Sequence, residues 1–484
     1  MLPLRRLLRS LRRVVPLWAV LPVLAAGTLE VLLHAASWSV PVPATEQDAA
    51  FFPPGCREPD LAQPRANAAF VMLARNSERG KAKTTVRSIE RQFNAWYGYP
   101  IVFLNDEEWD PAFVRELNET AGGKAVFEVI PREVWSFPDW VDSEAARRSI
   151  KAQGETGLQH AGQEGYHHMC RFYSGWPFRD ARGPVLYPSV PSIRVVFCRR
   201  AVVARRNRQN EEQLANGAPL SPRSKFYQLP ALQKYKWYWR LEPDVEFLCA
   251  VTYDPFVEME RRGKVYGFTI ALWELGDSCP SLFREVADWM DARGVRPTAL
   301  WRAAVSASWA PWPLRRWLMS RLAHRDARGD AWSLCHYWSN FEIADMDFFR
   351  SREYQAFFDY LDHKGGFYFE RWGDAAVHSL AVAMYADPAR VHHFEDIGYR
   401  HDHLYQCPAN APGEAAQLPG SEVLARGERD PRWTAEEPGG IGCRCECDRS
   451  KGTRNHPEYC LDKLKQPNTR KRRWITWPLR LVWR

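Results

Sequence analysis

The segment YKWYWRLEPDVEFLC (residues 235–249) carries the sharpest chemical signal in the chain. An aromatic run of strand composition leads into Glu242–Pro243–Asp244. Two carboxylates two residues apart at a strand end can jointly face a hard divalent cation, because oxygen ligands suit Mn²⁺ or Mg²⁺. Such a cation can clamp a diphosphate. The alternative is an exposed acidic turn. A second segment, CHYWSNFEIADMDFFR (335–350), sets Glu342 among apolar and aromatic residues. That setting raises a carboxyl's pKa unless a partner compensates. Glu342 is therefore a candidate nucleophile or acid/base group; the alternative is a carboxylate bonded to backbone amides or paired with an arginine. Residues 365–378 and 391–407 gather Asp374, His378, His392, His393, Glu395, Asp396, His401 and His403, dense enough for a metal ligand to be expected among them. Finally, YHHMCRFYSG (166–175) offers the Tyr166 hydroxyl and Arg171 in an aromatic frame suited to stacking a sugar face.

These groups need a scaffold. Ala68–Ala74 is an apolar run ending in Arg75–Asn76–Ser77, which reads as a buried strand and a loop. Thr84–Tyr97 has helical spacing, with Val86, Ile89, Phe93 and Trp96 on one face. Pro100–Leu104 reads as a second strand ending at Asn105–Asp106, 111–120 as a helix and 124–130 as a third strand. Alternating strands and helices predict an α/β fold with a Rossmann-type parallel sheet. Ligands of such sheets sit beyond the carboxyl ends of the strands, where Arg75, Asn76, Asn105 and Asp106 fall. The chain has no G-x-G-x-x-G or G-x-x-x-x-G-K-[ST] sequence, so a phosphate ligand would be held by a metal or by side chains.

The flanks speak to compartment. Residues 1–13 hold five arginines and no acid, and an apolar run extends over 14–36 despite Glu30 and His34. This predicts a single transmembrane signal anchor with the N-terminus cytoplasmic and the rest luminal. A cleaved signal peptide ending near Ala35–Ala36–Ser37 is the rival reading. Residues 37–66 read as a stem, 67–448 as the globular body and 449–484 as a basic tail. Residues 176–224, with nine basic and three acidic residues, read as an insertion or an unspliced piece of the gene. Residues 301–330 form a second irregular stretch. Eleven cysteines in a luminal chain predict disulfides, and Cys407, Cys443, Cys445, Cys447 and Cys460 predict a disulfide-stapled C-terminal cap rather than a zinc site. The sequon Asn118–Glu119–Thr120 fits the same compartment.

EPDVEF after an aromatic strand, HYWSNFEIADMDFFR, GGFYFERWGDAAVHS, EDIGYRH, NAAFVMLARNSE and YHHMCRFYSG, in their places along the chain, resemble the fungal α-1,2-mannosyltransferase family (glycosyltransferase family 15). The resemblance covers about residues 65–175 and 225–410 and omits the 176–224 segment. It implies a GT-A type fold, GDP-mannose as donor with Mn²⁺, retention of anomeric configuration and mannosylated glycoprotein acceptors on O-linked or N-linked glycans. A single-pass type II Golgi membrane protein is also implied. On this resemblance Glu242 and His401 are the metal ligands, with His393 as the alternative histidine. Glu342 is the proposed nucleophile, Tyr166 lies near the reacting sugar, and Arg75, Asp244 and Arg171 bind the nucleotide sugar. A mannan-active glycoside hydrolase and a non-catalytic mannan-binding protein are the other readings.

The formal net charge of +8 looks at first like a nucleic-acid footprint. The tail alone carries eleven basic and two acidic residues, and together with the N-terminus and residues 176–224 it leaves the remaining body net acidic. No nucleic-acid partner is expected.

Overall fold

The computed structural model describes residues 17–39, 59–175, 226–306, 308 and 314–408, and from the C-terminal part 443, 445, 457–461, 463 and 464. The arginine-rich leader, most of the stem, the 176–224 insertion and most of the basic tail lie outside the described residues.

A helix, α1, spans Leu17–Ser39. Among the described residues, no helix is long and apolar enough to cross a membrane. The body follows with β1 (Ala68–Leu73), α2 (Arg79–Ile89), β2 (Ile101–Asn105), α3 (Pro111–Thr120) and β3 (Ala125–Val129). Each of these was expected within a few residues. The helix starts earlier than its apolar spacing indicated and passes through a widened π turn at Glu90–Asn94 before closing at Ala95–Tyr97. Gly98 then takes φ +74°, a left-handed turn that leads the chain into β2.

After α4 (Glu164–Ser174) come β4 (Trp237–Leu241), β5 (Val245–Phe247), β6 (Tyr266–Phe268), β7 (Ala271–Trp273), β8 (Val305–Ser306), β9 (Ala331–Trp332), β10 (Cys335–Tyr337) and β11 (Ile343–Asp345). Helices α5 (Arg352–Lys364) and α6 (Asp374–Tyr385) precede β12 (Val391–His393), β13 (Tyr399–His401) and β14 (Leu404–Gln406). The main sheet has seven strands in the order β12-β6-β11-β4-β1-β2-β3. Strands β4, β1, β2 and β3 are parallel, and β11 runs antiparallel between β4 and β6. A small antiparallel sheet, β14-β13-β5, sits at the carboxyl end of β4. The body is thus mixed α/β around a parallel core.

Every residue of β4 is buried, because the strand is covered on both faces. Its alternation still sorts the faces: Trp237, Trp239 and Leu241 enter one core, whereas Tyr238 enters the other. Tyr238, Arg240 and Glu242 therefore project to one side. Gly366 has a steric reason to be glycine, since a Cβ there would run into the Trp372 indole.

The expected C-terminal cap forms, with a particular pattern. Cys445 bonds to Cys249 just beyond β5, and Cys460 bonds to Cys335 of β10. Both of these bonds tie the cap to the body. Tyr459 bridges to Leu272, and the Cys460 amide donates to the Ala271 carbonyl, so this part of the C-terminal segment packs on the body.

Candidate active site

The Glu242–Asp244 turn is held from α2. The Thr85 hydroxyl lies 3.0 Å from the Glu242 carbonyl and accepts from the Val245 amide at 3.1 Å, and one turn on, the Ser88 hydroxyl accepts from the Phe247 amide at 2.5 Å. Asp244 takes φ +75°, a region that aspartate tolerates better than most residues. The two carboxylates consequently part. Asp244 turns to the surface and pairs with Lys81 at 3.0 Å. Glu242 is mostly buried and accepts from Arg240 Nη2 at 2.5 Å. The expectation that both would face one cation is corrected by this turn, which leaves Glu242 alone on the inner side.

Arg240 binds a second carboxylate, with Nη1 2.5 Å from Asp374 Oδ2, and its guanidinium lies 3.6 Å over the Tyr173 ring. Ser339 also donates to Asp374, at 2.7 Å. Burial alone would raise the Asp374 carboxyl. The charges of Arg240 and His378 and the hydrogen bonds from Arg240 and Ser339 outweigh it and hold the group below its ordinary value.

His401 lies on β13 opposite Val245 of β5, which brings it to the same turn as Glu242. Its ring stacks on Trp338 at 5.1 Å, and its Nδ1 meets the Asn340 amide nitrogen while Asn340 Oδ1 is buried without a partner. Turning that amide over, which leaves its shape unchanged, lets Oδ1 accept from Nδ1–H. The Nε2 lone pair is then available to a cation, the usual arrangement for a ligating histidine. The alternative ligand, His393, is engaged elsewhere: Nε2 meets the Thr269 carbonyl at 2.7 Å and Nδ1 meets Glu395 at 3.2 Å. Among the described residues no group of three or more His, Cys, Asp or Glu side chains converges as a metal cage. A cation here would take Glu242 and His401 from the protein and its remaining oxygens from a diphosphate and water, as suits Mn²⁺ or Mg²⁺ carried by a nucleotide.

Glu342 precedes β11 and is fully buried, with its carbonyl accepting from the Arg240 amide at 2.9 Å. The partners that the sequence left open are two tyrosines and a histidine. Tyr238 donates to Oε1 at 2.6 Å, Tyr266 to Oε2 at 2.9 Å, and His378 Nδ1 lies 3.1 Å from Oε2. Asp374 and His378, expected as possible metal ligands, instead serve Arg240 and Glu342.

Tyr166 is half-buried on α4, stacked on His160 at 4.8 Å, and its hydroxyl accepts from Arg371 at 3.1 Å. Burial pushes its phenol well above the ordinary value, with Arg371 opposing. Arg75 is exposed after β1, and its guanidinium lies against Gly165, the residue before Tyr166. The first loop and Tyr166 therefore meet. Arg171 does not join them. It is buried and makes a two-pronged pair with Asp362 of α5, at 2.6 and 2.8 Å, which corrects its expected role on the ligand. Asn76 is spent on the neighbouring loop, accepting from the Asp110 amide and donating to Glu107 and Glu108.

The residues missed from sequence are Tyr238, Arg240, Tyr266, Ser339, Asn340 and Arg371. Two of them had a signal: positions 238, 240 and 242 share one face of a strand by the two-residue period.

The family model described as glycolipid 2-alpha-mannosyltransferase matches residues 37–182 and 223–414, leaving out 183–222 within the expected insertion. The chain is 34% identical over 387 residues to the O-glycoside alpha-1,2-mannosyltransferase homolog 4 of Schizosaccharomyces pombe, covering 75% of this chain and 76% of that protein. It is 32% identical to the alpha-1,2 mannosyltransferase KTR1 of Saccharomyces cerevisiae, covering 85% and 81%. Among solved structures it matches the core-mannan synthase A of Aspergillus fumigatus in its Mn/GDP form, with a TM-score of 0.55 at 32% identity over 76% of this chain and 84% of that one. It also matches the mannosyltransferase Ktr4p of S. cerevisiae in complex with GDP, with a TM-score of 0.56 at 30% identity over 74% and 76%.

Proposed function

The chain belongs to the fungal α-1,2-mannosyltransferase family (glycosyltransferase family 15), and from that premise we propose that it moves mannose from GDP-mannose, with Mn²⁺, to mannose acceptors on O-linked or N-linked glycans with retention of configuration. One observation carries this reading. Glu242 at the end of the central parallel strand and His401 on a strand paired to β5 come to one turn at the carboxyl edge of the sheet, a carboxylate and an imidazole that suit a divalent cation, with Glu342 buried beside Arg240 at the start of the adjoining strand β11. The Mn/GDP form of the A. fumigatus relative supports the same donor and cation.

When bound, Mn²⁺ supplies positive charge against the diphosphate that leaves with GDP. The chain's own residues do the rest. Arg240 fixes the Glu242 carboxylate, and Asn340 orients His401. Arg75, on the first loop against Gly165, would offer its charge to the donor, and Asp244 is paired with Lys81 at the surface. Tyr166, set by Arg371, borders the sugar. Retention can arise by attack of Glu342 on the anomeric carbon, as in retaining glycosidases, or by departure and attack on one face with Glu342 as a fixed counter-charge. Three donors on its two oxygens and complete burial support the second role, since each lone pair bonded to a donor is less available to carbon.

Five arginines ahead of the apolar run, disulfides across the body and the Asn118 sequon support a type II Golgi membrane protein with a luminal body, anchored through the segment that contains α1. Resistance to alkaline extraction together with protease protection of the body in sealed vesicles tests this; release into the wash counts against it.

The decisive assay incubates the purified full chain with GDP-mannose, Mn²⁺ and methyl α-mannoside. An α-1,2-linked dimannoside, lost on chelation, is expected. Release of mannose from mannan without donor or cation would instead establish a hydrolase, and mannan binding without turnover a lectin-like protein.

A further inference from the structure

His378 is fully buried, and each ring nitrogen faces an oxygen. Nε2 lies 3.0 Å from the Tyr173 carbonyl, and Nδ1 lies 3.1 Å from Glu342 Oε2. A carbonyl has no proton to give, so Nε2 must carry one. Nδ1 then has two options: an imidazolium facing a carboxylate, or a neutral ring accepting from a carboxylic acid. The other side of Glu342 decides between them. Tyr238 and Tyr266 both aim hydroxyls at its oxygens, at 2.6 and 2.9 Å. Donors to a carboxylate favour its charged form, and a charged Glu342 requires the proton on Nδ1.

The remaining surroundings agree. Asp374, one turn earlier on α6, adds negative charge, and Arg240 of β4 opposes it with positive charge. The rings of Phe349, at 4.7 Å, and Tyr354, at 6.4 Å, close the other sides. Burial disfavours the imidazolium, but Glu342 outweighs it and His378 titrates above its ordinary value.

We propose that His378 is a buried imidazolium and a positioning residue, which keeps Glu342 ionised and fixed in the orientation from which its charge acts on the reacting sugar. The protonation state stands on the geometry alone, while its consequence for turnover rests on the mannosyl-transfer reading. In this arrangement His378 touches neither donor nor cation. Its folded-state titration lies above that of the unfolded chain. Its contribution to stability is complete below about pH 6.5 and is lost as pH rises through the folded value.

The test has two arms on the full chain. Nitrogen NMR of ¹⁵N-histidine-labelled protein followed across pH, with the signal assigned by its absence from H378Q, should show both His378 ring nitrogens still protonated at a pH where an exposed histidine has become neutral. A His378 ring that loses its second proton at or below the pH of an exposed histidine overturns the proposal, and where H378Q does not fold, H378N supplies the assignment. In the second arm, H378Q replaces the cation by a neutral amide. Its kcat should fall on the order of 100-fold, with the KM for GDP-mannose within about twofold. An unchanged kcat, or a folded variant in which KM rises as kcat falls, overturns the positioning role. If the wild type carries a doubly protonated His378 but transfers no mannose, the functional reading fails and the protonation state survives.

Discussion

Arg240 and Glu242 lie two residues apart, and the guanidinium of the first donates to the carboxylate of the second across 2.5 Å. The same guanidinium holds Asp374, so one buried cation is shared by two anions from β4 and α6. Arg240→Met would strand Asp374 in the interior without its charge partner. Breaking a buried pair by deleting one member costs about 3–5 kcal/mol. Arg240→Lys keeps the charge but lacks the planar fork that reaches both partners, and it should recover only part of that loss. Denaturant unfolding of both variants measures this; a Met variant as stable as the parent would remove the bridge from the account.

Which parts of this arrangement were legible follows from sequence distance. Strands β1 to β3 were, because each is a short apolar run bounded by polar turn residues and separated by helical spacing. The Glu242–Asp244 motif was legible as chemistry but not as geometry: nothing in the spacing said that a left-handed Asp244 would turn its carboxylate away. Asp374 and His378, at i and i+4 of one helix, announced a shared face. Their tasks were hidden, because Arg240 and Glu342 come from 134 and 36 residues away. Arg171 misled for the same reason. An arginine among aromatics invites a ligand, and its true partner, Asp362, lies 191 residues downstream.

The Arg171–Asp362 pair gives a prediction that separates the two roles. Both side chains are buried, at 2% and 1% exposure, and Nε and Nη2 of the guanidinium are spent on Asp362. Arg171→Met should cost about 3–5 kcal/mol of stability while the KM for GDP-mannose in the surviving folded protein stays within about twofold. A stable variant with a sharply raised KM would restore the ligand-binding role expected from sequence.

The orphaned amide oxygen of Asn340 beside His401 predicts a metal-affinity effect away from the ligands themselves. If Asn340 orients the imidazole, Asn340→Ala raises the Mn²⁺ concentration for half-maximal transfer by about 10–100-fold and leaves the activity at saturating Mn²⁺ largely intact. Glu242→Ala should abolish Mn²⁺-dependent transfer outright, whereas Asp244→Asn, at an exposed pair worth about 0–1 kcal/mol, should leave stability unchanged. A Mn²⁺ titration of Asn340→Ala that superimposes on the parent would remove Asn340 from the site.

Stability should also respond to pH through a group outside the site. Asp396 precedes β13 and accepts from the Tyr253 hydroxyl at 2.6 Å. Burial pushes its carboxyl up to about 6, with that hydrogen bond opposing. An unfolded aspartate titrates near 4, about two units lower. Between about pH 4 and 6 the folded state therefore binds the extra proton, and linkage requires its stability to rise as pH falls through that window. Above about pH 6 the buried carboxylate is charged in both states, and the penalty stays constant. Asp396→Asn carries the neutral form permanently and removes this contribution. The melting temperature of the parent relative to Asp396→Asn should thus be lowest near pH 7 and above, rise as pH falls below about 6, and meet the variant's near pH 4. Parallel profiles for the two proteins across that range would show that Asp396 titrates like a solvent-exposed aspartate, and the buried-carboxyl assignment would fall.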